Sequence, residues 1–253
     1  MSEASLEGPA DAPVLVLANP LGTTSAIWDG VVPALRERFR LLRFDLPGHG
    51  GRAARRGSYT LAQLGTEVLG LLNEAGVGQA GFAGVSIGGM TGLWLAAHAP
   101  DRINSLAVVC TAIEPVPSAQ AWRDRSALVR ASGMAAIAEM VVPRWFTPGF
   151  VARSPDRVAA VLDMLKSCDP EGYAGCGDAI AAMDLLPVLG SVRAPTLVVS
   201  GAEDPAAPPS HGARTARAIP GAKFTVIRGT SHLAVYETPG PVTAALLSHF
   251  LSN

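Results

Sequence analysis

The sequence predicts an α/β fold: a mostly parallel sheet flanked by helices on both faces, interrupted once by an all-helical segment. Three observations carry this. Short apolar runs alternate with longer segments of helical period along most of the 253 residues. The alternation pauses over residues 113–187, where helical patterns continue without a strong strand run. Finally, Gly84-Val85-Ser86-Ile87-Gly88 stands where a strand pattern turns directly into a helical one.

Each element has a local reason. VLVLA at 14–18, bracketed by Pro13 and by Asn19-Pro20, reads as a buried strand. Residues 28–38 read as a helix and 41–44 as the next strand, followed by a loop punctuated by Pro47, Gly48, Gly50 and Gly51. Residues 61–75 put Leu61, Leu64, Val68, Leu71 and Leu72 on one helical face. A strand at 82–85, a helix at 88–98 and a strand at 103–110 follow. After the helical segment the rhythm resumes with a strand at 196–200, a helix near 212–219, a strand at 224–227 and a last helix at 241–251. The implied division is a core of residues 1–112 and 188–253, with a helical lid of 113–187. Such a lid covers the C-terminal edge of the sheet, where open α/β sheets place their sites.

Composition narrows the function classes. Hydrophobic residues make up 49% and charged residues 16%, enough for a sizeable core without disulfides. The net charge of −1 offers no electrostatic case for nucleic acid or a membrane surface. Substrate recognition is then local and mostly apolar, with a few placed charges. The three cysteines, Cys110, Cys168 and Cys176, form no CxxC pair, so neither a disulfide framework nor a zinc site is expected. The start MSEASLEGPADAP lacks the basic and apolar regions of a signal peptide, and no apolar stretch reaches the length of a membrane span. A soluble cytoplasmic protein is the expectation.

The chemistry centres on G-x-S-x-G. Placed between a strand and a helix, this motif builds a sharp turn that exposes a serine above the sheet and aims a helix N-terminus at it. Without that context it is only a glycine-rich turn. A serine hydroxyl needs a base, and five histidines are available. His98 reads as a polar residue ending a helix, His249 as a partly exposed helix residue, and His49, in LPGHG, as a structural histidine bonded to backbone. His211 has no catalytic neighbour in sequence. His232 lies in the loop RGTSH after the last strand, in the order serine, acid, histidine that accompanies such a turn. The acid is expected at Asp204, which follows the strand at 196–200 in SGAEDP, although an aspartate there also suits a plain turn. The oxyanion hole needs two backbone N–H groups. Ile87, after the serine, supplies one. In the loop Asn19-Pro20-Leu21-Gly22, proline has no N–H, which leaves Leu21 as the other donor.

With these residues in place, the chain resembles the α/β-hydrolase superfamily over essentially its whole length, and more narrowly the 3-oxoadipate enol-lactonases. The narrower likeness rests on NPLGTTSAIWD (19–29), GVSIGGMTGLWLAAHAPDRI (84–103), RWFTPGF (144–150), DPEGYAGCGDAIAAMDL (169–185), SGAEDPAAPP (200–209) and SHLAVYETP (231–239). The resemblance implies a small enol-lactone substrate bearing a carboxylate, no metal or organic cofactor, and a lid inserted after the sixth strand. It also points to Trp145 and Arg144 as residues meeting the substrate; a packing aromatic and a solvated charge suit them equally well. Pro47 stands where that family usually carries Arg. The family's N-terminal hairpin has no visible counterpart, so edge strands are expected to be short or absent, and an exposed edge leaves a homo-oligomer open. Carboxylester hydrolysis, C–C bond hydrolysis or perhydrolysis on the same residues, and ligand binding on a retained fold are the alternatives.

Overall fold

The computed structural model describes residues 4–252. Its strands are β1 (Ala4–Glu7), β2 (Val14–Ala18), β3 (Arg40–Phe44), β4 (Ala80–Val85), β5 (Ile103–Val109), β6 (Thr196–Gly201) and β7 (Lys223–Ile227). They form one sheet in the order β1-β3-β2-β4-β5-β6-β7. Every pairing is parallel except β1 with β3. All residues of β4 and β6 are buried, as expected for parallel strands covered by helices on both faces.

The chain moves outward from β2 to β3, then crosses back to place β4 on the other side of β2. That reversal opens a crevice at the C-terminal ends of β2 and β4. Ala18 pairs with Gly84, so the loop leaving β2 and the turn leaving β4 emerge side by side. This register is what can bring Leu21 and Ser86 together.

Between β5 and β6 the chain is helical, from Ala119–Ser132 to Leu186–Leu189. Small residues seat this segment on the core. A side chain on Gly172 would meet the backbone of Pro47 and Gly48 at 2.6 Å, and one on Gly177 would meet Ser126 at 2.7 Å. The helix Pro170–Ala182 therefore lies close to both the 47–48 turn and the helix Ala119–Ser132.

The acidic start holds a short edge strand, as the expectation of short or absent edges allows: β1 is only four residues long, runs antiparallel to β3, and Glu7 pairs with Arg43 at 2.5 Å. Several other expectations need correction. Among the described residues, five strands precede the helical segment rather than six. The helix expected at 28–38 is two short pieces, a 3-10 turn Ser25–Trp28 and a helix Val32–Leu35. Pro33 belongs in a first turn, so it starts the second piece rather than continuing the first. His249 is buried rather than partly exposed, with Nε2 3.0 Å from Ser105 Oγ. Helix periodicity could not reveal that its face turns onto β5.

Candidate active site

Ser86 occupies the N-cap of the helix Ile87–His98 with φ +53°, in the left-handed region that a side chain rarely adopts. The flanking glycines make this possible. A Cβ on Gly84 would overlap the backbone of Gly88 and Gly89, and one on Gly88 would overlap the carbonyl of Ala18. The Ser86 N–H donates to Val109 O at 3.0 Å, and Thr111 Oγ1 donates to Ser86 O at 3.1 Å, so β5 braces the strained turn from behind.

Asp204 and His232 meet beyond the ends of β6 and β7. His232 Nδ1 lies 2.8 Å from Asp204 Oδ2, and both residues are buried. The other carboxylate oxygen accepts the N–H groups of Ala206 and Ala207 at 2.7 and 2.9 Å. Burial pushes the Asp204 carboxyl up, but His232 and these N–H donors outweigh it, and the net lies below the ordinary carboxylate value. The acid therefore stays charged and holds a proton on Nδ1, leaving Nε2 free as an acceptor.

Cys110, at φ +49°, lies behind the pair and directs Sγ to Ser231 O. Its sulfur and donor atoms of Asp204 and His232 all lie within 4.8 Å of one another. Two ligands of a tetrahedral zinc stand about 3.4 Å apart, from ~2.1 Å bonds, so the 2.8 Å contact is a hydrogen bond. Burial pushes the Cys110 thiol up.

Ser86 and His232 line one small cavity of about 40 Å³, together with Pro20, Leu21, Met90, Ala112, Val116 and Ile180. Ser86 makes no hydrogen bond to His232; the two meet across this space, a looseness common before substrate binds. Among the described residues, the N–H groups of Leu21 and Ile87 find no acceptor in the protein. The loop carrying Leu21 is tightly held. Asn19 Nδ2 donates to Phe44 O and Asp45 Oδ1, each at 3.0 Å. Gly22, at φ +82°, donates its N–H to His49 Nε2 at 3.0 Å, while His49 Nδ1 sits 2.9 Å from Pro47 O. Those two contacts assign the proton to Nδ1. Burial pushes the His49 pKa down, more than Pro47 O and the carboxylates of Asp45 and Asp169 raise it. The backbone-bonded histidine expected from the sequence is thus a brace for the 19–23 loop.

The helical segment supplies the roof. Trp145, Arg144, Trp122, Arg125 and Tyr173 all face the cavity. Arg125 stacks on Trp122 at 4.7 Å, and its charge counters part of the rise that burial gives the Tyr173 pKa. Neither Arg125 nor Arg144 has a described carboxylate within ion-pairing distance. Burial and the neighbouring Arg125 both lower the Arg144 pKa, so two like charges face a confined space. Sequence reasoning reached Arg144 and Trp145 but missed Arg125. Its only signal was a position three residues after Trp122, which puts both on one helix face.

A strained serine at a parallel-sheet switch point, facing a histidine held by a buried aspartate, defines a hydrolase of the α/β class. The chain belongs to the alpha/beta hydrolase family, whose model matches residues 15–246. It is similar to 3-oxoadipate enol-lactonase 2 of Acinetobacter baylyi, with 38% identity over 92% of this chain and 86% of that protein. Among solved structures it is similar to the enol-lactonase from Burkholderia xenovorans LB400, with a TM-score of 0.95 and 39% identity, covering 99% of this chain and 96% of that one. A thermophilic esterase from Thermogutta terrifontis, solved with malate bound, matches with a TM-score of 0.92 and 27% identity over 98% of this chain and 92% of that one. No helix among the described residues is long and apolar enough to cross a membrane.

Proposed function

We propose that this hydrolase opens a small enol-lactone carrying a carboxylate, 3-oxoadipate enol-lactone being the leading substrate, through an acyl-enzyme on Ser86. The carrying observation is the cavity itself: Ser86, the Asp204-held His232 and two arginines without carboxylate partners share about 40 Å³. An anion entering there relieves the repulsion between Arg125 and Arg144 and places a neutral carbonyl near the serine. The similarity to enol-lactonases supports the same reading, as does the bound malate of the related esterase.

In the reaction, Ser86 Oγ attacks the ring carbonyl and His232 Nε2 takes the hydroxyl proton. Negative charge moves to the carbonyl oxygen, where the N–H groups of Leu21 and Ile87 receive it; one such donor is commonly worth ~10²–10³ in rate. The ring C–O bond breaks, the enol oxygen takes the proton from His232, and the enol becomes a ketone. Water then attacks the ester on Ser86, giving its proton to His232 Nε2, which returns it to Ser86 Oγ. Asp204 keeps Nδ1 protonated and stabilises the imidazolium throughout. Residues 113–187 act as the lid, with Arg144, Arg125 and Trp145 setting which bond reaches the serine.

The test is turnover of 3-oxoadipate enol-lactone by the pure protein beside p-nitrophenyl acetate and a meta-cleavage product. Lactone opening favoured over both supports the proposal. Activity on the simple ester alone reduces it to an esterase, and failure of a fluorophosphonate to label Ser86 removes the serine mechanism.

A further inference from the structure

Glu237 is a buried carboxylate with no ion pair among the described residues. It sits on the short helix Ala234–Glu237, just after His232. Its partners come from two separate parts of the chain. From the helical segment, Thr147 donates both its N–H, at 3.1 Å, and its hydroxyl to Oε1. From the histidine loop, Ser231 N–H donates to Oε2 at 2.8 Å and Thr230 Oγ1 at 3.4 Å. The same two strips of chain are joined twice more: Leu233 N–H donates to Trp145 O at 3.2 Å, and Ser231 Oγ to Arg144 O at 3.3 Å.

A buried charge is costly unless its hydrogen bonds are complete. Here completion requires residues 144–147 and residues 230–233 to lie in register, because each carboxylate oxygen faces one of them. We infer that Glu237 is a positioning residue that locks the roof residues Arg144 and Trp145 in register with His232, so that substrate orientation and proton transfer are set together. This rests on the proposed roles of His232 and Arg144. Thr147 is suited to the junction, since its hydroxyl donates to Glu237 while accepting the Phe150 N–H at 3.2 Å, capping the next helix. Glutamine in place of Glu237 keeps the shape but has one acceptor oxygen, and its NH₂ group must face an N–H donor.

The experiment measures Glu237→Gln with p-nitrophenyl acetate, with the carboxylate-bearing lactone, and by the rate of fluorophosphonate labelling of Ser86, at a temperature where the variant is folded. Register loss predicts slower labelling and a kcat on the ester lowered on the order of 10- to 100-fold, the cost of a misplacement near 1 Å. It also predicts a raised KM for the lactone and an unchanged KM for the neutral ester. A lowered Tm with all three rates at wild-type values overturns the inference. If Glu237→Gln does not fold, Thr147→Val should show a smaller loss of the same kind and Thr147→Ser should restore it; wild-type kinetics in Thr147→Val overturns the inference equally. Should the lactone prove not to be a substrate of the wild type, the substrate proposal falls while the ester and labelling measurements still decide the role of Glu237.

Discussion

Replacing His49 with phenylalanine isolates what its two nitrogens do. The ring is fully buried and stacks near Tyr173, so phenylalanine preserves an aromatic body there. It removes the acceptor for Gly22 N–H and the donor to Pro47 O. Two buried backbone groups are then left without partners, at about 1–3 kcal/mol each, for a loss of about 2–6 kcal/mol. His49→Gln, whose side-chain oxygen can still accept from Gly22, should lose about half as much. Urea unfolding at pH 8 measures both. Activity should fall further than stability explains, because Gly22 follows Leu21, and a freed 20–23 loop misdirects an N–H proposed to meet the oxyanion. The pH dependence adds a second check. Folded His49 titrates below its ordinary value of 6.5, so the unfolded chain takes up the proton first. Its contribution to stability is complete above about pH 6.5 and is lost as pH falls. His49→Phe should flatten that decline in part, leaving the share of His249, which burial lowers in the same way. A loss under about 1 kcal/mol, less than one unsatisfied group costs, together with an unchanged pH profile, would refute the reasoning.

Ser86→Ala should abolish nearly all turnover and all fluorophosphonate labelling while the thermal melt stays within a few degrees. Asp204→Asn should lower kcat by about 10⁴, since an amide no longer enforces the Nδ1–H tautomer; steady-state kinetics at saturating ester reports it. Arg125→Ala and Arg144→Ala should each raise KM for a carboxylate-bearing lactone and leave KM for p-nitrophenyl acetate unchanged. Gly88→Ala should yield little folded protein, judged by soluble expression and circular dichroism, because its Cβ would overlap the Ala18 carbonyl at the root of the 19–23 loop.

The fold and its key turn were legible in the chain because they rest on local physics. Short continuous apolar runs mark where β2, β4 and β5 lie, and a 3.6-residue period marks the helix Leu61–Glu74, each to within two residues at each end. Glycines around Ser86 announce a backbone that side chains cannot follow. Asp204 and His232 stand out in the sequence because each follows a strand in a set order, and the structure brings the two within 2.8 Å of each other. The 28–38 helix differs because period alone does not see that Pro33 opens a turn, and the sequence left β1 between short and absent because an edge strand needs only a neighbour's backbone to pair with.

Tertiary structure alone decided what surrounds that chemistry. The burial of His249, the bracing of the 19–23 loop by His49 and the contact of Glu237 with Thr147 join residues 27 to 144 positions apart. No sequence period encodes such pairings. They arise when a buried polar group must find a partner from whichever element the packed sheet and helices bring within about 3 Å.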